Sequence, residues 1–125
     1  MAQHNCQILN WNVRGLNDGV RQDAVCELVR STGATIVCLQ ETKMQLLDQN
    51  MVIRTMGAKF VNSFAVLLAE QTRGGILLAV NEDFFDLSNI ELTANMITAT
   101  ITMRADGIQW KITIVYGPQG DAAKL

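Results

Sequence analysis

The sequence predicts an α/β fold in which one sheet of a sandwich carries its helices on the outer face. Three observations predict it. A short apolar run at 7–12 (QILNWN) precedes a stretch of helix-spaced apolar residues. A second run at 35–39 (TIVCL) then follows, β-rich and apolar on both faces, as a strand covered on both sides would be. Later, 96–103 (MITATITM) and 108–115 (IQWKITIV) alternate about Asp106-Gly107, the pattern of an antiparallel hairpin.

The elements can be justified in order. After the first strand, Arg14-Gly15-Leu16-Asn17-Asp18-Gly19 breaks the chain. Val20, Ala24, Val25, Leu28 and Val29 then recur at helical spacing, with Arg21, Gln22, Asp23 and Glu27 between them. Gly33 stands where a helix C-terminus favours glycine. Thr42 and Gln45 have the spacing of a capping box, so a second helix is predicted from Thr42 to Met56, ahead of Gly57. Residues 59–68, 75–80 and 86–92 are β-type runs divided by polar and glycine positions. Tyr116-Gly117-Pro118 ends the last strand. No repeat, linker or low-complexity segment interrupts the chain, so residues 1–125 are read as one domain.

Composition bounds the function. Ten basic and twelve acidic residues give a net charge of −2, which argues against attraction of nucleic acid by the whole surface. Any such contact must come from a local cluster. Cys6, Cys26 and Cys38 are odd in number and form no CxxC pair. Cys6 and Cys38 fall in predicted strands and Cys26 on the apolar side of the first helix. They read as reduced core residues of an intracellular protein. The N-terminus has no apolar signal core, and no stretch approaches the ~20 apolar residues that span a bilayer. The scattered methionines, Trp11 and Trp110 are expected in the core.

Two polar groups mark the rim of the predicted sheet. Asn12 closes the first strand, and Glu41 follows the second, one residue beyond Gln40. If the two strands are parallel neighbours, both side chains reach the same edge. A carboxylate there suits Mg²⁺, which takes few protein oxygens and fills its shell with water and phosphate. Spacing alone favours the plainer reading, that Glu41 is a solvated charge at a helix start, where the macrodipole stabilises it. Lys43, Arg14 and Arg73 lie near the same rim, either as phosphate contacts or as solvated loop charges.

Four segments occur in a recognisable order: Ile8-Leu9-Asn10-Trp11-Asn12-Val13-Arg14-Gly15-Leu16, Ile36-Val37-Cys38-Leu39-Gln40-Glu41-Thr42-Lys43, Gly74-Gly75-Ile76-Leu77-Leu78, and Ile114-Val115-Tyr116-Gly117-Pro118. Together they resemble the N-terminal half of the endonuclease/exonuclease/phosphatase family, with wording closest to endonuclease domains of plant non-LTR retrotransposons. The resemblance implies a partial four-layer α/β sandwich, about one sheet with its outer helices, truncated. It implies that Glu41 is a ligand of Mg²⁺ (or Mn²⁺ in its place), that Asn12 is an active-site amide, and that Tyr116 contacts the scissile phosphate. DNA is the implied substrate, with no membrane partner. A retrotransposon origin implies a nuclear location. Arg14 replaces an acidic residue found in abasic-site endonucleases, so it is expected to face phosphate rather than the cation. Arg73 stands where relatives more often have serine.

The family's later Asp-x-Asn and Asp-His pairs are not in this sequence. His4, the one histidine, precedes the first strand and does not replace them. The chain is therefore expected to be a nuclease-domain fragment that is inactive alone and binds its cation weakly. The alternatives are a non-catalytic partner-binding remnant and the N-terminal part of a phosphatase of the same family. With about one sheet encoded, its inner face is expected to be apolar and uncovered, and to drive self-association.

Overall fold

The computed structural model describes residues 6–70 and 74–116. Strand β1 (Ile8–Asn12) and strand β2 (Ile36–Gln40) are joined by helix α1 (Gly19–Thr32) and pair in parallel, with Asn12 opposite Gln40. The helix begins where Asp18 accepts the Arg21 N–H at 2.8 Å. It ends where Gly33 turns left-handed at φ 68° and its N–H reaches the Val29 carbonyl. Val25 and Val29 are buried, but Val20 is 79% exposed rather than part of the apolar stripe. Five residues separate Val20 from Val25, which turns it about 140° away on a 3.6-residue helix.

Helix α2 is shorter than predicted. It runs Gln49–Met56 and is capped by Asp48, whose carboxylate takes the Asn50 N–H at 3.0 Å. Thr42 caps nothing, because the backbone around it is committed elsewhere: the Lys43 N–H binds the Gly74 carbonyl and the Thr42 carbonyl takes the Leu16 N–H. The predicted run 59–68 is divided between a 3₁₀ turn at Ala58–Phe60 and strand β3 (Phe64–Leu67). Strands β4 (Ile76–Val80), β5 (Phe85–Leu92), β6 (Met96–Met103) and β7 (Gln109–Val115) follow the predicted runs closely. Cys6 precedes β1 and is exposed, not within a strand, and Cys26 is partly buried.

The strands form two sheets. The first has the order β1-β2-β4-β3 and is mixed; the second, β5-β6-β7, is antiparallel throughout. The α/β sandwich class holds, but the expected single sheet with a bare inner face does not. At Asn81 the chain leaves the first sheet: its carbonyl takes the N–H groups of Phe84 and Phe85, and its side chain that of Asp83. That turn lets the second sheet fold back over the first.

Period-two alternation divides the core between the layers. Val37, Leu39, Leu77 and Ala79 face the helices, packing with Val25, Val29 and Val52. Ile36, Cys38, Ile76, Leu78 and Val80 point the other way, against Phe85, Ile97, Ala99 and Ile101 of the second sheet. The apolar faces thus cover one another. Trp11 packs at the helix layer, while Trp110 meets Phe85 edge-on with centroids 5.9 Å apart. The outward face of the second sheet is polar, with Thr98 and Thr113 hydroxyls 3.3 Å apart and Gln109 donating to Thr102 at 3.1 Å. Among the described residues no helix is long and apolar enough to cross a membrane.

Cys38 lies between the two sheets, and burial pushes its thiol from an ordinary 9.0 up to about 12. The folded protein therefore holds this proton more tightly than the unfolded chain does. The associated stability is complete below pH 9.0 and is lost as pH rises toward 12. Chemical unfolding measured across that window should show a shallower alkaline decline for Cys38→Val than for the parent. Equal slopes would place Cys38 outside the dry core.

Candidate active site

The rim is assembled by backbone bonds before any side chain contributes. Just past Gln40, the Glu41 N–H binds the Gly75 carbonyl at 2.9 Å, and the Glu41 carbonyl takes the Gly15 N–H at 2.7 Å. Lys43 donates its N–H to the Gly74 carbonyl at 2.6 Å. The ends of β1, β2 and β4 are stitched together at one edge of the first sheet. Behind the β1–α1 loop, the Arg21 guanidinium bonds the Val13 carbonyl and Gln22 donates to the Leu16 carbonyl at 2.8 Å. Sequence reading missed these two staples, since helix residues with polar side chains carry no signal of what loop they reach.

Asn12 and Glu41 meet at this rim. The Asn12 Nδ2 donates to Glu41 Oε2 at 3.3 Å. The other end of the same amide is fixed, because Asn12 Oδ1 accepts the Arg14 N–H at 3.2 Å. An amide held at its oxygen must present its NH₂ to the carboxylate, so the pair has one orientation. Tyr116 arrives from the second sheet, its N–H bound to the Asn95 carbonyl at 2.7 Å. Its ring and the Glu41 side chain both pack over Gly74. A methyl group there would sit 3.1 Å from Glu41 Cγ and 3.3 Å from Tyr116 Cε1. Asn12, Glu41 and Tyr116 thus come together from three elements and both sheets.

Arg14 and Lys43 are exposed beside them. Asn17 Nδ2 steadies the second of these, reaching the Lys43 carbonyl at 3.4 Å. Arg73, His4, Gly117 and Pro118 lie outside the described residues. Four non-glycine residues have positive φ among those described, and three are at this rim: Arg14 at 54°, Glu41 at 56° and Lys43 at 57°. Left-handed backbone costs an ordinary residue about 1–3 kcal/mol, and it persists only where surrounding contacts fix it. The acidic residues Glu82, Asp83 and Asp86, away from this rim, already have partners. Asp83 pairs with Lys59 at 3.1 Å, Asp86 with Arg104 at 2.6 Å, and Glu82 accepts from Asn62 at 2.9 Å.

No cluster of three or more His, Cys, Asp or Glu side chains occurs among the described residues. A single carboxylate backed by an amide is too few donors for a closed metal cage. It does suit a hard ion that keeps most of its waters, as Mg²⁺ does.

These features, an α/β sandwich with polar groups converging where two sheets meet at one rim, belong to a chain whose fold has a solved counterpart. The chain is similar to the AP endonuclease LMAP from Leishmania major, with a TM-score of 0.56 and 16% identity over 89% of this chain. It spans 40% of the length of that chain. At that identity the likeness establishes the fold. No curated protein matches the sequence. The model of the Endonuclease/Exonuclease/phosphatase family matches residues 9–117, and the chain belongs to that family.

The left-handed rim gives a test of its own. Alanine ordinarily stabilises over glycine, yet at Lys43 the order should reverse. Lys43→Gly should exceed Lys43→Ala by about 1 kcal/mol in urea unfolding, because glycine adopts φ 57° without strain. An alanine variant of equal or greater stability would show that the rim relaxes freely.

Proposed function

We propose that this chain forms part of a Mg²⁺-dependent phosphodiesterase domain that acts on DNA, of the kind carried by plant non-LTR retrotransposons. The observation that carries the reading is the oriented Asn12–Glu41 pair at the rim. Glu41 holds the cation and Asn12 keeps its carboxylate in place. Tyr116, beside Glu41 across Gly74, contacts the phosphate. Arg14 and Lys43 supply local positive charge that the chain as a whole lacks, and Arg73, outside the described residues, is assigned the same role only from its place before Gly74 in the sequence. The retrotransposon assignment is supported by the run from Trp11 to Asn17 (WNVRGLN) and by arginine rather than an acidic residue at Arg14. An intracellular and nuclear location accords with it, as do three unpaired cysteines.

Bound Mg²⁺ would act as a Lewis acid on a phosphoryl oxygen and neutralise charge there. The described residues hold one carboxylate for it and no evident base to activate water. The 125-residue chain alone is therefore proposed to be inactive and to bind its cation weakly. Supercoiled plasmid and an abasic-site duplex, incubated with the chain in Mg²⁺, should remain uncut. In an NMR titration with paramagnetic Mn²⁺, signals of Asn12, Glu41 and Tyr116 should fade first, and Glu41→Ala should abolish the pattern. Nicking that depends on Glu41 would overturn the proposed inactivity. Broadening centred on Glu82, Asp83 and Asp86 would overturn the metal site.

Self-association is proposed through a strand edge rather than a bare sheet face. Strand β7 ends the second sheet over seven residues with no bulge, and Ile108 and Val115 are exposed at its two ends. Such an edge is a template for another strand. Sedimentation velocity should show concentration-dependent association that Thr113→Pro reduces, because the N–H of Thr113 points away from β6 at the free edge whereas that of Ile112 faces Ala99 within the sheet. A monomer at all concentrations would exclude it.

A further inference from the structure

The rim's strain is concentrated on either side of one residue that faces no solvent. Thr42 lies between left-handed Glu41 and left-handed Lys43, and its own surface is 0% exposed. Its N–H leans on the Gly75 carbonyl at 3.4 Å, and its carbonyl takes the Leu16 N–H at 2.9 Å. Its hydroxyl is buried with no hydrogen-bond partner among the described residues. It occupies instead the space a side chain at Gly75 would need, since a methyl group there would sit 2.5 Å from Oγ1. Gly75 itself is at φ 93°, so a side chain is excluded there by conformation as well as by space.

We propose that Thr42 is the positioning residue of this site: its branched side chain, seated against Gly75, holds Glu41 and Lys43 in the left-handed conformations that set the rim. The inference rests on the reading of Glu41 as the cation ligand. Local sequence opposes the observed conformation, since Thr42 and Gln45 have the spacing of a helix start. A helix from Thr42 would draw Lys43 into right-handed geometry and break its bond to Gly74. The buried seat is what competes with that preference. The seat needs shape, because an unpartnered hydroxyl adds cost rather than binding. Valine has the same branched shape without the polar atom, and the same restricted side-chain rotation.

The test compares Thr42→Val, Thr42→Ala, Gly75→Ala and Glu41→Ala in the full chain. Two readouts are taken, the Mn²⁺ broadening pattern and the backbone angles of Glu41 and Lys43 from residual dipolar couplings. Thr42→Val should keep both the pattern and the positive φ values. Thr42→Ala and Gly75→Ala should lose the positive φ values and need about tenfold more Mn²⁺ or beyond, as is usual when the support of a metal ligand is removed. Their Ile97–Ile101 amides should stay unshifted, marking an intact sandwich. If Thr42→Ala keeps positive φ at both residues, or Thr42→Val loses it, the proposal fails. Should Glu41→Ala leave the Mn²⁺ pattern unchanged, the metal reading fails, while the backbone angles still decide the role of Thr42. If Gly75→Ala does not fold, the two Thr42 variants decide alone.

Discussion

The pairing of β2 with β4 is the constraint on which the rest depends. These are the only described strands in which nearly every residue is buried, because one face meets the helices and the other meets the second sheet. Burial on both faces fixes their register, since a slip of one residue would exchange the two apolar sets. Their ladder also continues past the strand ends, through the Glu41 N–H and the Gly75 carbonyl. The position of Glu41 is therefore set by the same register that closes the core. Strand β1 adds in parallel and brings Asn12 to the same level. The site is an extension of the core's geometry rather than a loop placed upon it.

Such rigidity allows strain to be kept where the chemistry is proposed to occur. Three left-handed residues at about 1–3 kcal/mol each are a large load for a domain of this size. Each is tied down through its own N–H, Arg14 to a side-chain oxygen and the other two to backbone carbonyls. Arg14 donates its N–H to Asn12, and the Glu41 and Lys43 N–H groups bind a diglycine segment that has no side chains to obstruct them. Gly74 and Gly75 serve different ends. The first leaves room for Glu41 and Tyr116 to pack over it, whereas the second must turn left-handed beneath Thr42. A methyl group at Gly75 would collide with Thr42 at 2.5 Å, whereas one at Gly74 would press on Glu41 and Tyr116 at 3.1 and 3.3 Å and require them to shift.

Much of this was legible in the sequence, and the failures are instructive. Strands β1, β2, β4, β6 and β7 follow from apolar runs and alternation, because burial of a sheet face writes period two directly into the chain. The closeness of Asn12 and Glu41 followed from two strand ends and one assumed parallel pairing. What failed was set by contacts distant in sequence. Thr42 has the local signature of a helix cap, but tertiary backbone bonds to Leu16, Gly74 and Gly75 commit this stretch elsewhere. Val20 fits a helical pattern on casual spacing but lies off the buried stripe. The division into two sheets depends on the turn at Asn81, where polar residues mark a break without indicating how far the chain will rotate.

The second sheet shows why a chain matching two-fifths of a larger relative can still bury its apolar faces. On β6, Ile97, Ala99 and Ile101 face inward while Thr98, Thr100 and Thr102 face outward. Threonine satisfies the β preference for branching and also tolerates water. The outer face therefore needs no helical layer for solubility, and the inner face needs only the first sheet. Closure does not extend to the strand edges. Along β1, Ile8, Asn10 and Asn12 are exposed while Leu9 and Trp11 pack toward the helices, so one face of that strand is still open. Asn12 lies on that open face, beside Glu41. The polar pair thus sits where the sandwich is least closed, at a border that further polypeptide or a bound phosphate backbone could reach without disturbing the core.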